Sequence, residues 1–265
     1  TTGKNNKERV IDATRIMGDA FSVTMSVQSM DQKVLSNIKR DNIKLDHYVQ
    51  INQHLAEQGR STKGEVILPL PGETKESFMR GVDQMLEAGV STILIYTLML
   101  LEGTEFQDPD YREKHGIRGS FRIVPMDFGE YRGVRVFDYE EVGIQTNDMT
   151  FDEYLYLRGF ALILETLHNG NPFQELFHYV TAFGVSRMEL LRRTYDGVGQ
   201  APHEVQEVLG GYLAETQSEL WVSADELVAH YQKDENYGRL LRGEAGGNLI
   251  QKYCSMGLAF AADAW

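Results

Sequence analysis

One cysteine, Cys254, is the only thiol in 265 residues. A lone thiol excludes an internal disulfide, cannot hold a metal by itself, and suits a reducing cytosol. Positive charge is also short, with 26 Lys and Arg against 39 Asp and Glu, a formal charge of −13 and a pI of about 5.0. That balance argues against a nucleic-acid partner, which needs a basic face, but leaves room for a local basic pocket. No apolar run reaches the roughly 18 to 20 residues that span a bilayer. The longest, ILIYTLMLL at 93–101, suits a core strand and its exit. The opening TTGKNNKER has neither an initiator Met nor the apolar centre of a signal peptide. The expectation is a cytoplasmic chain with no membrane span, read from a piece of something longer.

What is present points to an ordinary packed protein. Hydrophobic residues at 42 % and charged residues at 25 % supply a substantial core for one large domain or two smaller ones. The first third alternates helical and extended patterns. Residues 5–19 place Val10, Ala13 and Met17 on one helical face, and 21–29 alternate like a strand. Asp31 is positioned to cap a helix through QKVLSNIKR, and a second helix at 44–58 ends at Gly59. EVILPL at 65–70 forms the next strand, Thr74 starts a helix closed by Gly89, and 91–100 form a third strand.

This order is the βαβ rhythm of a parallel sheet, in which ligands bind beyond the carboxyl ends of the strands. Those ends are SVQSMD, PLPGET and TLMLLEGT. From Phe106 to Met149 the rhythm gives way to an extended connection with short β-like pieces such as FRIVP and VRVFDY. Residues 150–265 then read as a helical domain, with Ser/Thr-x-x-Glu capping boxes at TFDE, SRME and SADE.

The stretch 26–42 is the most specific. Gln28 ends a strand and Arg40 follows one helix later, so an amide and a guanidinium could share a small carboxylate. Glu65, heading the next strand, could take the matching ammonium. The plainer alternative is that Gln28 caps a helix and Arg40 is solvated.

The succession SVQSMD, NIKRDN, EVILPLPGET and IYTLMLLEGTEF resembles the second half of the radical S-adenosylmethionine (radical SAM) core. It looks most like the cobalamin-associated and coproporphyrinogen-oxidase-like branches of that superfamily. The resemblance covers residues 1–105 and continues more weakly through GIRGSFRIVPMDFGEYRG at 116–133. It implies a fold of the α/β class: the later half of a partial (β/α)6 barrel at 1–105, then an α-rich carboxyl-terminal domain. It also implies a [4Fe–4S] cluster that cleaves S-adenosylmethionine to a 5′-deoxyadenosyl radical.

Carried over position by position, Gln28 and Arg40 match contacts to the methionine carboxylate and ribose, and Glu65 matches the acidic head of the fifth strand. Residues 66–73 match the strand and turn beside adenine, and Tyr96 to Leu98 match the sixth strand. The resemblance thus names Ser26, Gln28, Arg40, Glu65, Leu68, Tyr96 and Leu98 as cofactor-binding positions. It also implies cobalamin held by an upstream domain, a small-molecule or peptide substrate, and an electron donor such as flavodoxin or ferredoxin.

Two features depart from the family pattern. The usual glycine before the Pro-Gly turn is Pro69, and the CxxxCxxC loop that supplies three cluster thiolates is absent. The chain therefore reads as a fragment that is inactive alone. Two other classes remain open: a non-catalytic α/β binding or regulatory module, and a barrel hydrolase using Glu65 or Glu73 as base.

Lesser candidates are His47 and His54, seven apart on one helix; Asp127, Tyr131 and Arg132 in MDFGEYR as a pocket lining; and the glycines of GEAGGN. The pair Glu140-Glu141 reads as a solvated turn rather than a catalytic dyad.

Overall fold

The computed structural model describes residues 23–41, 45–57 and 60–260, with Arg9, Asp12, Ala13, Ile16 and Met17. Those five residues are helical, but Ala13, Ile16 and Met17 are exposed instead of forming a core face. Val10, the rest of 5–19 and Gly59 lie outside the described residues. The chain divides into two compact units, one of residues 1–96 and 163–197, the other of 97–162 and 198–265.

The first unit is built on a parallel sheet, in the order β1 (Val23–Gln28), β2 (Thr62–Leu68), β3 (Thr92–Thr97). Asp31 caps α1 (Gln32–Asn37) by accepting from the backbone of Lys33 and Val34, as expected. The helix stops before Arg40, because Lys39 turns to φ +53° and the Arg40 N–H returns to the Leu35 carbonyl. In α2 (Leu45–Glu57), Tyr48, Ile51, Asn52 and Leu55 are buried at helical spacing. In α3 (Lys75–Glu87), Thr74 and Ser77 form a reciprocal capping box. The helix buries Phe78, Val82, Met85 and Leu86, and Gly89 at φ +78° closes it.

Burial in β2 alternates. Thr62, Gly64, Val66 and Leu68 are buried, while Lys63 is exposed and Glu65 and Ile67 are half-buried. Parallel strands covered on both faces read as continuous apolar runs, so this sheet has one helix-covered face and one polar face. Gly64 allows close packing on the covered face. A Cβ there would lie 2.2 Å from Met85 Cε and 2.7 Å from Tyr48 Oη.

The end of α5 (Phe151–Leu167) and the residues after it secure β3. Asn169 accepts from Ile93 N at 2.9 Å and donates to Ile93 O at 3.0 Å, standing in for a neighbouring strand. His168 Nε2 donates to the Val90 carbonyl at 3.0 Å. This unit is completed by α6 (Gln174–Ala182) and α7 (Arg187–Asp196).

The second unit corrects the reading of 106–149. After α4 (Pro109–His115), β4 (Arg118–Tyr131) and β5 (Val134–Gln145) form one long antiparallel hairpin, where the sequence shows an extended connection with short β-like pieces. Pro125 masks it in the sequence. It sits where the register shifts between Ile123 and Phe128, with Met126 at φ +65°, a bulge that tolerates a missing donor. Arg132 and Gly133, both at positive φ, make the two-residue turn.

The expected third strand ends early, at Thr97. The Leu98 carbonyl accepts from Gly143 N–H, and Met99 bridges Val142. Nor is Glu140-Glu141 a solvated turn. The two residues lie within β5, where Glu140 pairs with Arg122 at 2.7 Å and Glu141 takes both Nη atoms of Arg112, at 2.7 and 3.1 Å. Each carboxylate is spent on a structural ion pair.

Ile123 and Phe137 pack with Leu227, Tyr231, Tyr237 and Leu240 of α9 (Ala224–Tyr231) and α10 (Asp234–Leu241). Helices α8 (His203–Ser218) and α11 (Leu249–Phe260) complete the unit. The boxes at 150, 186 and 223 all cap helices: Thr150, Ser186 and Ser223 accept from Glu153, Glu189 and Glu226 N–H. In GEAGGN, Gly246 accepts from Met126 N at 2.9 Å, a structural role beside the bulge. Among the described residues, no helix is long and apolar enough to cross a membrane.

Burial holds the His168 imidazole down from 6.5 to about 4. The folded chain therefore keeps this ring neutral where the unfolded chain takes up a proton. The linked stability is fully present above 6.5 and is lost as pH falls towards 4, about 3 kcal/mol in all. His168→Gln should flatten the acid limb of the urea-unfolding free energy over that window. An unchanged slope would contradict the assignment.

Candidate functional site

The polar face of the parallel sheet brings several expected residues together. Ser26 and Glu65 are register partners on β1 and β2, and Ser26 Oγ donates to the Glu65 carboxylate. Tyr96, on β3, is 48 % exposed. Its phenol is pushed up by partial burial and by the charges of Glu65 and Glu165, which places both carboxylates within electrostatic reach. Gln28 ends β1 after a register irregularity, at φ +62°, a left-handed conformation uncommon outside glycine. The half-buried carboxylate of Glu65 thus stands between a hydroxyl and a phenol on the less buried face of the sheet. That is chemistry suited to an ammonium or a ribose.

Three expected residues stand apart from this group. Arg40 is exposed in the turn after α1, and among the described residues no hydrogen bond or ion pair joins it to Gln28 or Glu65. The Leu68 side chain is fully buried on the helix-covered face, before the cis Leu68-Pro69 bond. Leu98 is buried in the second unit.

The turn after β2 rests on a group that the sequence reading undervalued. Glu73 is 1 % exposed and accepts from Ser29 Oγ through one oxygen and Ser77 Oγ through the other. Ser29 immediately follows β1 and Ser77 lies in the first turn of α3, so one carboxyl ties two elements to the turn. Burial pushes its pKa up, against the two hydroxyl donors that favour the ionised form. Asn37 adds a second tie by donating from Nδ2 to the Pro71 carbonyl at 2.9 Å. Gly72, at φ +90°, leaves room for it: a Cβ there would fall 2.5 Å from that nitrogen. The only sequence signal for the carboxyl was Ser77 four residues after Glu73, because nothing in spacing reveals that Ser29 points inward.

The remaining candidates do not converge. Tyr131 and Arg132 lie at the hairpin turn, where Tyr131 is 69 % exposed, with Asp127 also exposed on β4. The side chain of His47 lies outside what is described, and His54 is half-buried on α2. No group of three or more His, Cys, Asp or Glu converges to hold a metal ion among the described residues. A [4Fe–4S] cluster needs three thiolates, and the chain's single Cys254, on α11, does not fit that requirement.

No protein-family model matches the chain. It is 34 % identical over 173 residues to the cobalamin-dependent radical SAM methyltransferase TokK of Streptomyces tokunonensis. It is 33 % identical over 174 residues to a 2-(S-pantetheinyl)-carbapenam-3-carboxylate methyltransferase of Streptantibioticus cattleyicolor. Each match takes in 63 % of this chain and 25 % of the relative, so the chain spans about a quarter of the length of the curated relatives it matches.

The raised pKa of Glu73 sets the sign of a pH effect. The folded state favours the protonated carboxyl, so its contribution is present below about 4.5 and is lost as pH rises through the folded value. Glu73→Gln, which keeps a neutral amide, should therefore gain stability relative to wild type as pH rises from 4.5 to 8. Glu73→Ala should cost about 1–3 kcal/mol by removing the acceptor of two buried hydroxyls. A wild-type-to-Gln gap that is constant in urea unfolding would show that the carboxyl is not held toward its neutral form.

Proposed function

We propose that the chain is the carboxyl-terminal part of a cobalamin-dependent radical SAM methyltransferase. In this reading the face of the parallel sheet that carries Ser26, Glu65 and Tyr96 binds S-adenosylmethionine. The observation that carries it is the Ser26–Glu65 pair beside Tyr96 on the face of the sheet opposite Tyr48 and Met85. The similarity to two methyltransferases over 63 % of the chain supports the family.

Here the three strands are later strands of a partial (β/α)6 barrel, and their polar face is its interior. Glu65 takes the ammonium of the methionine moiety, oriented by the Ser26 hydroxyl. Gln28 and Arg40 take the carboxylate and ribose, and the backbone after Leu68 and at Tyr96 flanks adenine. S-adenosylmethionine bound there supplies an activated sulfonium, and this chain's part is to orient it and exclude water.

The single cysteine does not supply the three thiolates of the cluster. The place of the cluster and of cobalamin in this reading is another part of a longer protein, with a flavodoxin- or ferredoxin-like electron donor. The second relative's name, a carbapenam carboxylate methyltransferase, favours a small molecule over a peptide as substrate class. The barrel-hydrolase reading loses one of its two bases, because both Glu73 oxygens are engaged below the surface.

The test is calorimetry of S-adenosylmethionine binding to the complete protein. Glu65→Ala and Arg40→Ala should each weaken binding about tenfold, on the order of 1.5 kcal/mol, the scale of one charge-assisted hydrogen bond. Unchanged binding in Glu65→Ala would remove this face from the cofactor site.

A further inference from the structure

Within the first unit, where α3 packs against α7, the helices leave an open cavity of about 370 Å³. That volume lies within the range of about 300–1,000 Å³ that small-molecule sites occupy. Leu86, 4 % exposed, gives the cavity an apolar patch. Asp83 and Glu87, one turn apart on α3, supply two carboxylates. Thr181 near the end of α6, with Ser186 and Arg187 at the start of α7, supplies hydroxyls and a guanidinium.

The opposite charges in this lining are not spent on each other. Among the described residues no ion pair joins Arg187 to either carboxylate, and its guanidinium carbon lies 5.6 Å from the centre of the Phe177 ring. Like charges four residues apart on a helix repel. Burial, and then the charge of Glu87, pushes the Asp83 carboxyl up.

The hydroxyls keep capacity for a ligand. Ser186 Oγ accepts from Glu189 N–H at 3.1 Å as the cap of α7, and its own proton is uncommitted among the described residues. Thr181 Oγ1 donates to the Phe177 carbonyl at 2.8 Å, which leaves its lone pairs to accept.

A ligand that answers this lining carries both signs. A guanidinium beside a hydroxyl proton matches a carboxylate, and the two acids match ammonium groups. The acids outnumber the guanidinium by one, so the balancing ligand has one more cation than anion. An amino acid with a cationic side chain has that composition. A neutral amino acid would leave one carboxylate unmatched, and a phosphate would meet an excess of negative charge.

We propose that this cavity binds a free basic amino acid of the lysine type. Arg187 and the Ser186 hydroxyl take its carboxylate, and Asp83, Glu87 and the Thr181 oxygen take its two ammonium groups. The site shares no residue with the sheet face that we assign to S-adenosylmethionine, and it stands without that reading.

The probe is L-lysine, titrated at constant ionic strength and neutral pH into the 15N-labelled 265-residue chain. Saturable shifts are expected at the backbone amides of Gly89 and Arg187, which border the cavity. Arg187→Gln and Asp83→Asn, both at half-buried positions, should each raise the Kd about tenfold, the scale of one charge-assisted hydrogen bond. If neither variant folds, the wild-type titration decides alone. The absence of a saturable shift overturns the site, and so does binding that both folded variants retain undiminished. Cadaverine, which lacks the carboxylate, overturns the role of Arg187 if it binds as tightly as L-lysine. L-norleucine, which lacks the second ammonium, overturns the basic-amino-acid assignment if it does the same.

Discussion

A buried carboxyl at the end of a turn organises the first unit. Glu73 accepts one serine from the end of β1 and another from the first turn of α3. With Asn37 holding the Pro71 carbonyl, three elements, β1, α1 and α3, are pinned to a single four-residue turn. The lengths and directions of β1 and β2 then follow, and with them the register that sets Ser26 opposite Glu65. A charged Glu73 in that place would be expensive, and an apolar residue would remove the carboxyl that both serine hydroxyls share. Burial tilts the group toward its neutral form, in which both hydrogen bonds can persist.

The second constraint is one-sidedness. In a parallel sheet covered on both faces, alternation in β2 would have no purpose. Here Gly64 lets Tyr48 and Met85 close on one face, and the residues between the buried ones carry a carboxylate, a lysine and a partly buried isoleucine. The third strand is secured at its margin by Asn169 and His168, so its polar residue Tyr96 stays in place without another strand beside it. A rigid sheet that presents hydroxyl, carboxylate and phenol on one surface suits the recognition of a small zwitterion.

Local signals were read well where the chemistry is local. Asp31, Thr74, Thr150, Ser186 and Ser223 all cap helices as their spacing suggested, because a capping hydroxyl or carboxylate reaches only two or three residues. The βαβ order was legible for the same reason: period and punctuation lie within each element. What stayed hidden depends on partners distant in sequence. The long hairpin was obscured by Pro125, whose bulge is tolerated only because the strands re-pair beyond it. Glu140 and Glu141 looked solvated because Arg122 and Arg112 lie 18 and 29 residues away. Ser29 finds Glu73 across 44 residues, and Arg158 meets Tyr212 on another helix altogether. Of the proposed ligand residues, Ser26, Glu65 and Tyr96 converge, whereas the Leu68 side chain faces the opposite way because strand alternation leaves it no choice.

On the proposed reading, the face of the sheet that carries Ser26, Glu65 and Tyr96 is the ligand face. The most direct test is a structure of the complete protein bound to S-adenosylmethionine. The account predicts the methionine ammonium within hydrogen-bond distance of the Glu65 carboxylate, with the nucleoside along the carboxyl ends of β2 and β3. A cofactor seated on the helix-covered side, or away from Glu65 and Tyr96, would contradict it.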